Sequence, residues 1–222
     1  MVITKSKTKK EEKEEQNEED LTSYLILNSP SNDSPKIRMV GLFESLNEER
    51  VADVCTAFLA LRELGKQEVY EDPEDPRSPI KEITYQPIDF YISTPGGMAS
   101  GMFAVYDMMR MIRKDCEIHT YGFGRVMSAG VLLLAAGTKG KRKIGKNCRV
   151  MLHAVAGGNY GAIHNLENER EEIRWIQKQH TEALIKETKL TKRNLKKMLD
   201  KKVDVYLNPE QAIEYGIADE II

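Results

Sequence analysis

The sequence predicts an α/β fold, on three observations. Short apolar runs of strand length alternate with longer stretches whose apolar residues recur at helical spacing. Four of the short runs end in turns rich in glycine or in Asn-Pro. The 222 residues suit a single domain, on a prior of roughly 100–200 residues per domain. A chain of that size buries a core without disulfide or metal staples.

Ile37–Phe43 (IRMVGLF) reads as the first strand. Asn47 caps a helix whose apolar face is Val51, Val54, Phe58 and Leu61. The acidic, proline-punctuated stretch Lys66–Arg77 (KQEVYEDPEDPR) reads as a surface loop before the next strand. That strand, Ile88–Ile92, leads into Ser93-Thr94-Pro95-Gly96-Gly97. A second helix carries Met102, Val105, Met109 and Ile112 on one face. Glu117–Tyr121 is a third strand, with Gly122 and Gly124 making the turn after it. The nearly all-apolar Ser128–Ala136 is a helix that must be buried on every side. Arg149–Leu152 is a strand followed by the glycine-rich AGGNYG. A long amphipathic helix, Ala162–Thr188, carries Ile163, Leu166, Ile173, Ile176 and Leu184. A shorter helix, Lys192–Leu199, and the strand Val203–Leu207 follow. Asn208-Pro209 opens a last helix that stops before Gly216.

Composition excludes several classes. Against 35 acidic side chains stand 33 basic ones, and a net charge of -2 rules out a globally basic nucleic-acid binder. Cys55, Cys116 and Cys148 lie far apart and are odd in number, which indicates neither a disulfide framework nor a zinc site. The longest apolar run, Val131–Ala136, falls far short of the roughly 20 residues that span a bilayer. No secretory leader is visible at the start. A cytoplasmic protein without membrane or nucleic-acid contact is expected. Residues 1–20 are almost entirely Lys, Glu and other polar groups and are expected to be a disordered tail.

Three residues at element ends carry the chemistry. Ser128 stands where a glycine-rich turn meets a buried helix, whose N-terminal N–H groups favour developing negative charge. A helix N-cap is the plain alternative for that serine. His153 ends a strand 25 residues later, and Asp204 lies on a short strand before the Asn-Pro cap. A serine, a histidine and an aspartate so placed could form nucleophile, base and orienting acid. Their chain order, Ser-His-Asp, matches none of the three common hydrolase orders, and the G-x-S-x-G elbow is absent. Asp200 is an alternative acid.

Four segments resemble the ClpP family, the proteolytic subunits of ATP-dependent Clp proteases. They are STPGG (Ser93–Gly97), GFGRVMSAGVLLLAAGTKGKR (Gly122–Arg142), NCRVMLH (Asn147–His153) and NPEQAIEYGIADEII (Asn208–Ile222). They stand in family order, and the resemblance runs from about Ile37 onward. It implies the ClpP/crotonase fold: a superhelix of repeated ββα units with a protruding long-helix handle. It divides the chain into the tail, 1–20, and a serine peptidase domain, 21–222. Residues 66–86 are then an insertion, and about 157–190 are the handle. The resemblance makes Ser128 the nucleophile, His153 the general base and Asp204 the acid, with Gly97 and Ala129 N–H groups forming the oxyanion hole. It further implies a homo-oligomer of two stacked heptameric rings, a tetradecamer. An AAA+ unfoldase partner would use the ATP and feed in unfolded polypeptides. No cofactor is expected on this chain.

The sequence departs from the family in places. Met127-Ser128-Ala129-Gly130 replaces Ala-Ser-Met-Gly, and Ala154-Val155 replaces Gln-Pro after the histidine. Lys202-Val203 stands where an Asp-Arg pair couples ring contacts to the triad. Other candidates have plainer readings. His119 is expected to be a hydrogen-bonded strand residue, and His164 and His180 to lie on the solvated face of the long helix. Lys139–Lys146 is expected to be a solvated turn. Met108, Met109 and Met111 are expected in core and subunit contact. No histidine pair has metal-ligand spacing with a carboxylate. A non-catalytic ring subunit and a crotonase-type acyl-CoA hydratase are the alternatives from other classes.

Overall fold

In the computed structural model, residues 37–75, 77–158, 160–199 and 203–222 are described. The expected tail, 1–20, and the residues Asp200 and Lys202 lie outside them. Met39–Ile222 form one compact unit.

The elements alternate as expected. In chain order they are β1 (Met39–Leu42), α1 (Glu48–Leu64), β2 (Lys66–Tyr70), β3 (Ile80–Tyr85), β4 (Ile88–Thr94) and α2 (Ala99–Ile112). Then come β5 (Ile118–Met127), α3 (Ala129–Ala135), β6 (Arg142–Ile144), β7 (Arg149–Leu152) and α4 (Ile163–Glu187). The chain closes with α5 (Lys192–Leu199), β8 (Val205–Leu207), α6 (Pro209–Glu214) and β9 (Glu220–Ile221). The fold class is α/β, with six helices around a mainly parallel sheet.

The seven-stranded sheet has the order β1-β4-β5-β6-β9, with β7 added to β5 and β8 added to β7. All of its pairings are parallel except β7 with β8. One face of β4 (Ile88, Phe90, Ile92) is buried beneath α1 and α3, and Phe58 of α1 meets Phe90 edge to face with ring centroids 5.1 Å apart. Such a pair contributes about 0.5–1.5 kcal/mol beyond its buried area. The opposite face carries a stack of Tyr91 on Tyr121, centroids 4.7 Å apart. All seven residues of α3 are buried, as its composition requires. Asn47 caps α1 by accepting the Arg50 N–H, and Asn208 with Gln211 forms a capping box on α6.

Several expectations need correction. The stretch from Lys66 is only partly a loop. Lys66–Tyr70 (β2) pairs β3 as an antiparallel hairpin, with Glu68 opposite Ile83, and the acidic residues Glu71, Asp72, Glu74 and Asp75 belong to the turn between the strands. Gly122 and Gly124 do not end the third strand. β5 runs through them to Met127, pairing β6 at Thr120–Gly122 and β7 at Arg125–Met127. The bend at the glycines lets one strand exchange neighbours along one edge. The last expected strand begins at Val205, not Val203.

The basic run is not simply a solvated turn, because it contains β6 and the buried Arg142. That guanidinium donates to Asp219 (Nε to Oδ2, 2.7 Å) and to the carbonyls of Ala135, Glu187 and Gly216. Glu187 is itself buried and bonded to Tyr106 and Arg113, with Lys139 paired to it. Burial alone would raise the Glu187 and Asp219 carboxyls. Their arginine partners outweigh it and hold both below the usual carboxylate range.

His180 is a further correction, since it is 5% exposed and not solvated. No residue of α4 before His180 is buried, and from there His180, Ala183, Leu184 and Glu187 form the inward stripe. His164, on the exposed part, is solvated as expected, and His119 bonds Glu117 at 2.8 Å. Met109 is fully buried and Met111 is about half exposed.

Candidate functional site

Ser128 lies between the end of β5 and the start of α3, where the sequence places it at the head of the buried helix. Its backbone lies at φ 54°, ψ −119°, and among the described residues no other non-glycine has positive φ. The side chain makes no capping bond to the helix. The N-cap alternative therefore fails for the hydroxyl. Its partner is His153: Nε2 lies 2.7 Å from Ser128 Oγ.

The parallel ladder explains why these two meet. Met127 pairs Met151, and the Ser128 N–H donates to the Met151 carbonyl at 2.8 Å. Two residues beyond Met151, the chain reaches His153 at the end of β7. The adjacent ladder also places Asp204. β7 and β8 are antiparallel, with Leu152 opposite Val205, so one further step along the ladder sets Asp204 across from His153. Cross-strand neighbours of this kind have Cβ atoms about 4.5–5.5 Å apart. The Asp204 carboxylate itself is exposed and makes no hydrogen bond or ion pair among the described residues. The sheet thus joins Ser128 to His153 and aligns Asp204 without engaging it.

The Pro-Gly-Gly turn is held against the serine from below. Leu46 donates its N–H to Gly96 O at 2.8 Å and accepts the Met98 N–H at 2.9 Å. Thr94, fully buried, bonds the Glu44 carbonyl and accepts the Gly96 N–H. These bonds leave the Gly97 N–H without an acceptor among the described residues. The Ala129 N–H, first in α3, has none either. Both lie beside the hydroxyl's end of the helix, where the dipole favours an anion.

Two glycines are required here. A Cβ on Gly96 (φ 104°) would lie 2.6 Å from Ser128 Cβ and 3.0 Å from Oγ. One on Gly97 (φ 152°) would lie 2.3 Å from Leu46 O. Gly96→Ala is expected to lower turnover of a short peptide by about tenfold or more, by displacing Oγ from the imidazole. Steady-state kinetics on the purified variant checks it.

Of the expected site residues the structure joins Ser128 to His153, sets the Gly97 and Ala129 N–H groups near them and leaves Asp204 unengaged. Leu46, Thr94 and Gly96, which shape the turn through backbone or packing, were not singled out from sequence. Nor was His180. That ring is buried with neither nitrogen hydrogen-bonded among the described residues. Burial first, and the nearby His153 second, push it down to about 4. Among the described residues, no cluster of three His, Cys, Asp or Glu could hold a metal, and no helix is long and apolar enough to cross a membrane.

A serine hydroxyl bonded to an imidazole, beside two unengaged N–H groups at a helix N-terminus, is an arrangement able to attack a carbonyl. Known proteins agree with the architecture. The chain belongs to the Clp protease family, whose model matches residues 81–222. Among curated relatives, it is similar to the ATP-dependent Clp protease proteolytic subunit 4 of Rhodococcus jostii (strain RHA1). The identity is 38% over 137 residues, which is 62% of this chain and 69% of that protein. The family match begins inside β3, so β1, α1 and β2 fall outside it.

Proposed function

We propose that this chain is a serine endopeptidase subunit of a self-compartmentalised, ATP-dependent Clp-type protease. The observation that carries the reading is the 2.7 Å contact between Ser128 Oγ and His153 Nε2, made by a serine at a helix N-terminus in a Clp protease family chain. Ser128 Oγ attacks the scissile carbonyl while His153 Nε2 takes its proton. The Gly97 and Ala129 N–H groups hold the oxyanion. His153 then returns the proton to the leaving amine, and an acyl-enzyme ester remains on Ser128. Water, deprotonated by the same imidazole, releases the acid product. Asp204 turns from its exposed position to accept the His153 Nδ1–H, which fixes the tautomer and supports the imidazolium.

Subunits of this kind act as two stacked heptameric rings in the cytoplasm, with the exposed part of α4 as the handle between rings. An AAA+ unfoldase supplies unfolded polypeptide and consumes the ATP, and this chain needs no cofactor. The test is covalent labelling with a fluorophosphonate on the assembled protein. The label is expected on Ser128 and is expected to be lost in His153→Ala. Failure to label Ser128 in an assembly of about fourteen subunits by native mass spectrometry would overturn the catalytic reading.

A further inference from the structure

The segment after His153 has no helix or strand among its described residues up to Ile163, yet two contacts tie it to α4. Gln177 Oε1 accepts the Val155 N–H at 2.7 Å. Ile173 packs on Gly157, where a Cβ would lie 2.9 Å from Ile173 Cδ1. Residues 173 and 177 share one helix face, about 5–6 Å apart. Residues 155 and 157, two apart in extended chain, span about 6.5 Å. These spacings match, so the segment runs antiparallel to the helix, 157 against 173 and 155 against 177. One more such step brings residue 153 alongside positions 180 and 181.

Two further observations agree with that course. The buried His180 ring lies close enough to His153 to feel its electrostatic influence. Thr181 Oγ accepts from Gln177 Nε2 at 3.2 Å and donates to the Gln177 carbonyl at 2.8 Å. That pair of bonds fixes which end of the Gln177 amide faces Val155. Gln177 is half-buried, and its oxygen holds an amide only two residues beyond the base.

We propose that Gln177 is a positioning residue for His153: by holding the Val155 N–H, it ties the base to α4 and sets the reach of Nε2 to Ser128 Oγ. The proposal rests on the Ser128–His153 reading given above. Gln177 touches no reacting atom, so its removal acts on turnover through geometry and leaves substrate affinity alone.

The experiment uses the full chain in its assembled form and a short fluorogenic peptide. Gln177→Met keeps length and removes the acceptor, Gln177→Glu keeps an acceptor oxygen, and Val155→Pro removes the donor. Gln177→Met is expected to lower kcat about tenfold with KM within about twofold, as misplacing a base by a fraction of an ångström does. Gln177→Glu is expected to return to within about threefold of the parent. In the double variant Gln177→Met/Val155→Pro, kcat is expected to equal that of Val155→Pro alone, because both remove the same bond. A parent-like kcat in Gln177→Met, no rescue by Gln177→Glu, or multiplying losses in the double variant would each overturn the proposal. Should Gln177→Met not fold, Val155→Pro carries the test: a tenfold loss of kcat is expected, and a parent-like kcat overturns it. Ser128→Ala, run alongside, separates the two readings. If it turns over peptide like the parent, the catalytic reading has failed. If it is inactive while Gln177→Met is parent-like, only the positioning role has failed.

Discussion

Ser128→Ala is expected to lower kcat for peptide hydrolysis by about 10⁴–10⁶, with the assembly and its melting temperature preserved. The size follows from what the hydroxyl does. On the proposed mechanism no acyl-enzyme forms without it, and His153 would be left as a base with nothing to activate except water. The Gly97 and Ala129 N–H groups still polarise a bound carbonyl, so a residual acceleration of about 10³–10⁴ over water remains. KM is expected to change little, because the lost interaction exists chiefly in the transition state. His153→Ala should be about as severe, and the double variant no worse than either single one, since the two act as a unit. Burst kinetics with an activated ester provides an independent check: the parent should show an acyl-enzyme burst, and the alanine variant none. Retention of parent-like turnover would place the nucleophile elsewhere.

Arg142→Met is expected to be the most damaging substitution for stability. The guanidinium is buried and satisfies Asp219 together with three carbonyls, from the end of α3, the end of α4 and the turn after α6. Methionine fills much of the volume but leaves the Gly216 carbonyl without a donor and takes one from Asp219, Ala135 and Glu187, which keep only backbone N–H groups of Gly140 and residue 142 or the Lys139 ammonium. The arginine is buried while its carboxylate partner is partly exposed, so the cost lies toward the lower end of the about 3–5 kcal/mol for breaking a buried ion pair from one side. For a domain of this size, that is a fall in Tm of roughly 6–20 °C. The pH dependence gives the sign of the electrostatic part. Asp219 is held below its ordinary range by Arg142 in the folded protein. The stabilisation is therefore present above the unfolded value, about 3.9, and is lost as pH falls through the depressed folded value. The difference in Tm between parent and Arg142→Met should narrow on acidification below about pH 4. A difference that stays constant, or widens, would contradict the assignment. Differential scanning calorimetry from neutral to acid pH reads it directly.

What could be read from the chain alone depended on whether a signal was local. Asn47 and Asn208 announce their helices because a cap is a contact within four residues. The burial of α3 follows from AGVLLLA, which offers no polar face. Ser128 stood out because it opens an apolar run after a glycine-rich turn, and His153 because it ends one. The hairpin of β2 and β3 was missed because most of its residues are exposed, which leaves no alternation of buried and polar positions to detect. His180 was misplaced for a related reason. Positions 180, 183, 184 and 187 have helical-stripe spacing, but His180 and Glu187 hold two of the four, so the stripe does not look apolar. The carboxylate that stabilises Arg142 lies 77 residues away, and no local pattern reports it. Leu46, Thr94 and Gly96 serve the site through carbonyls, amides and missing atoms, which residue type hardly encodes.

The backbone of Ser128 has an evolutionary consequence. Its φ and ψ, 54° and −119°, fall in a region that glycine enters at little cost and other residues enter with difficulty. Replacement by glycine would relax the turn while deleting the hydroxyl, so the more comfortable chain would be the inactive one. Mutation therefore meets no stability barrier on the way to losing this serine. On the proposed mechanism, what keeps it in place is the acyl transfer, and a lineage released from that requirement should drift first at position 128, well before its core changes.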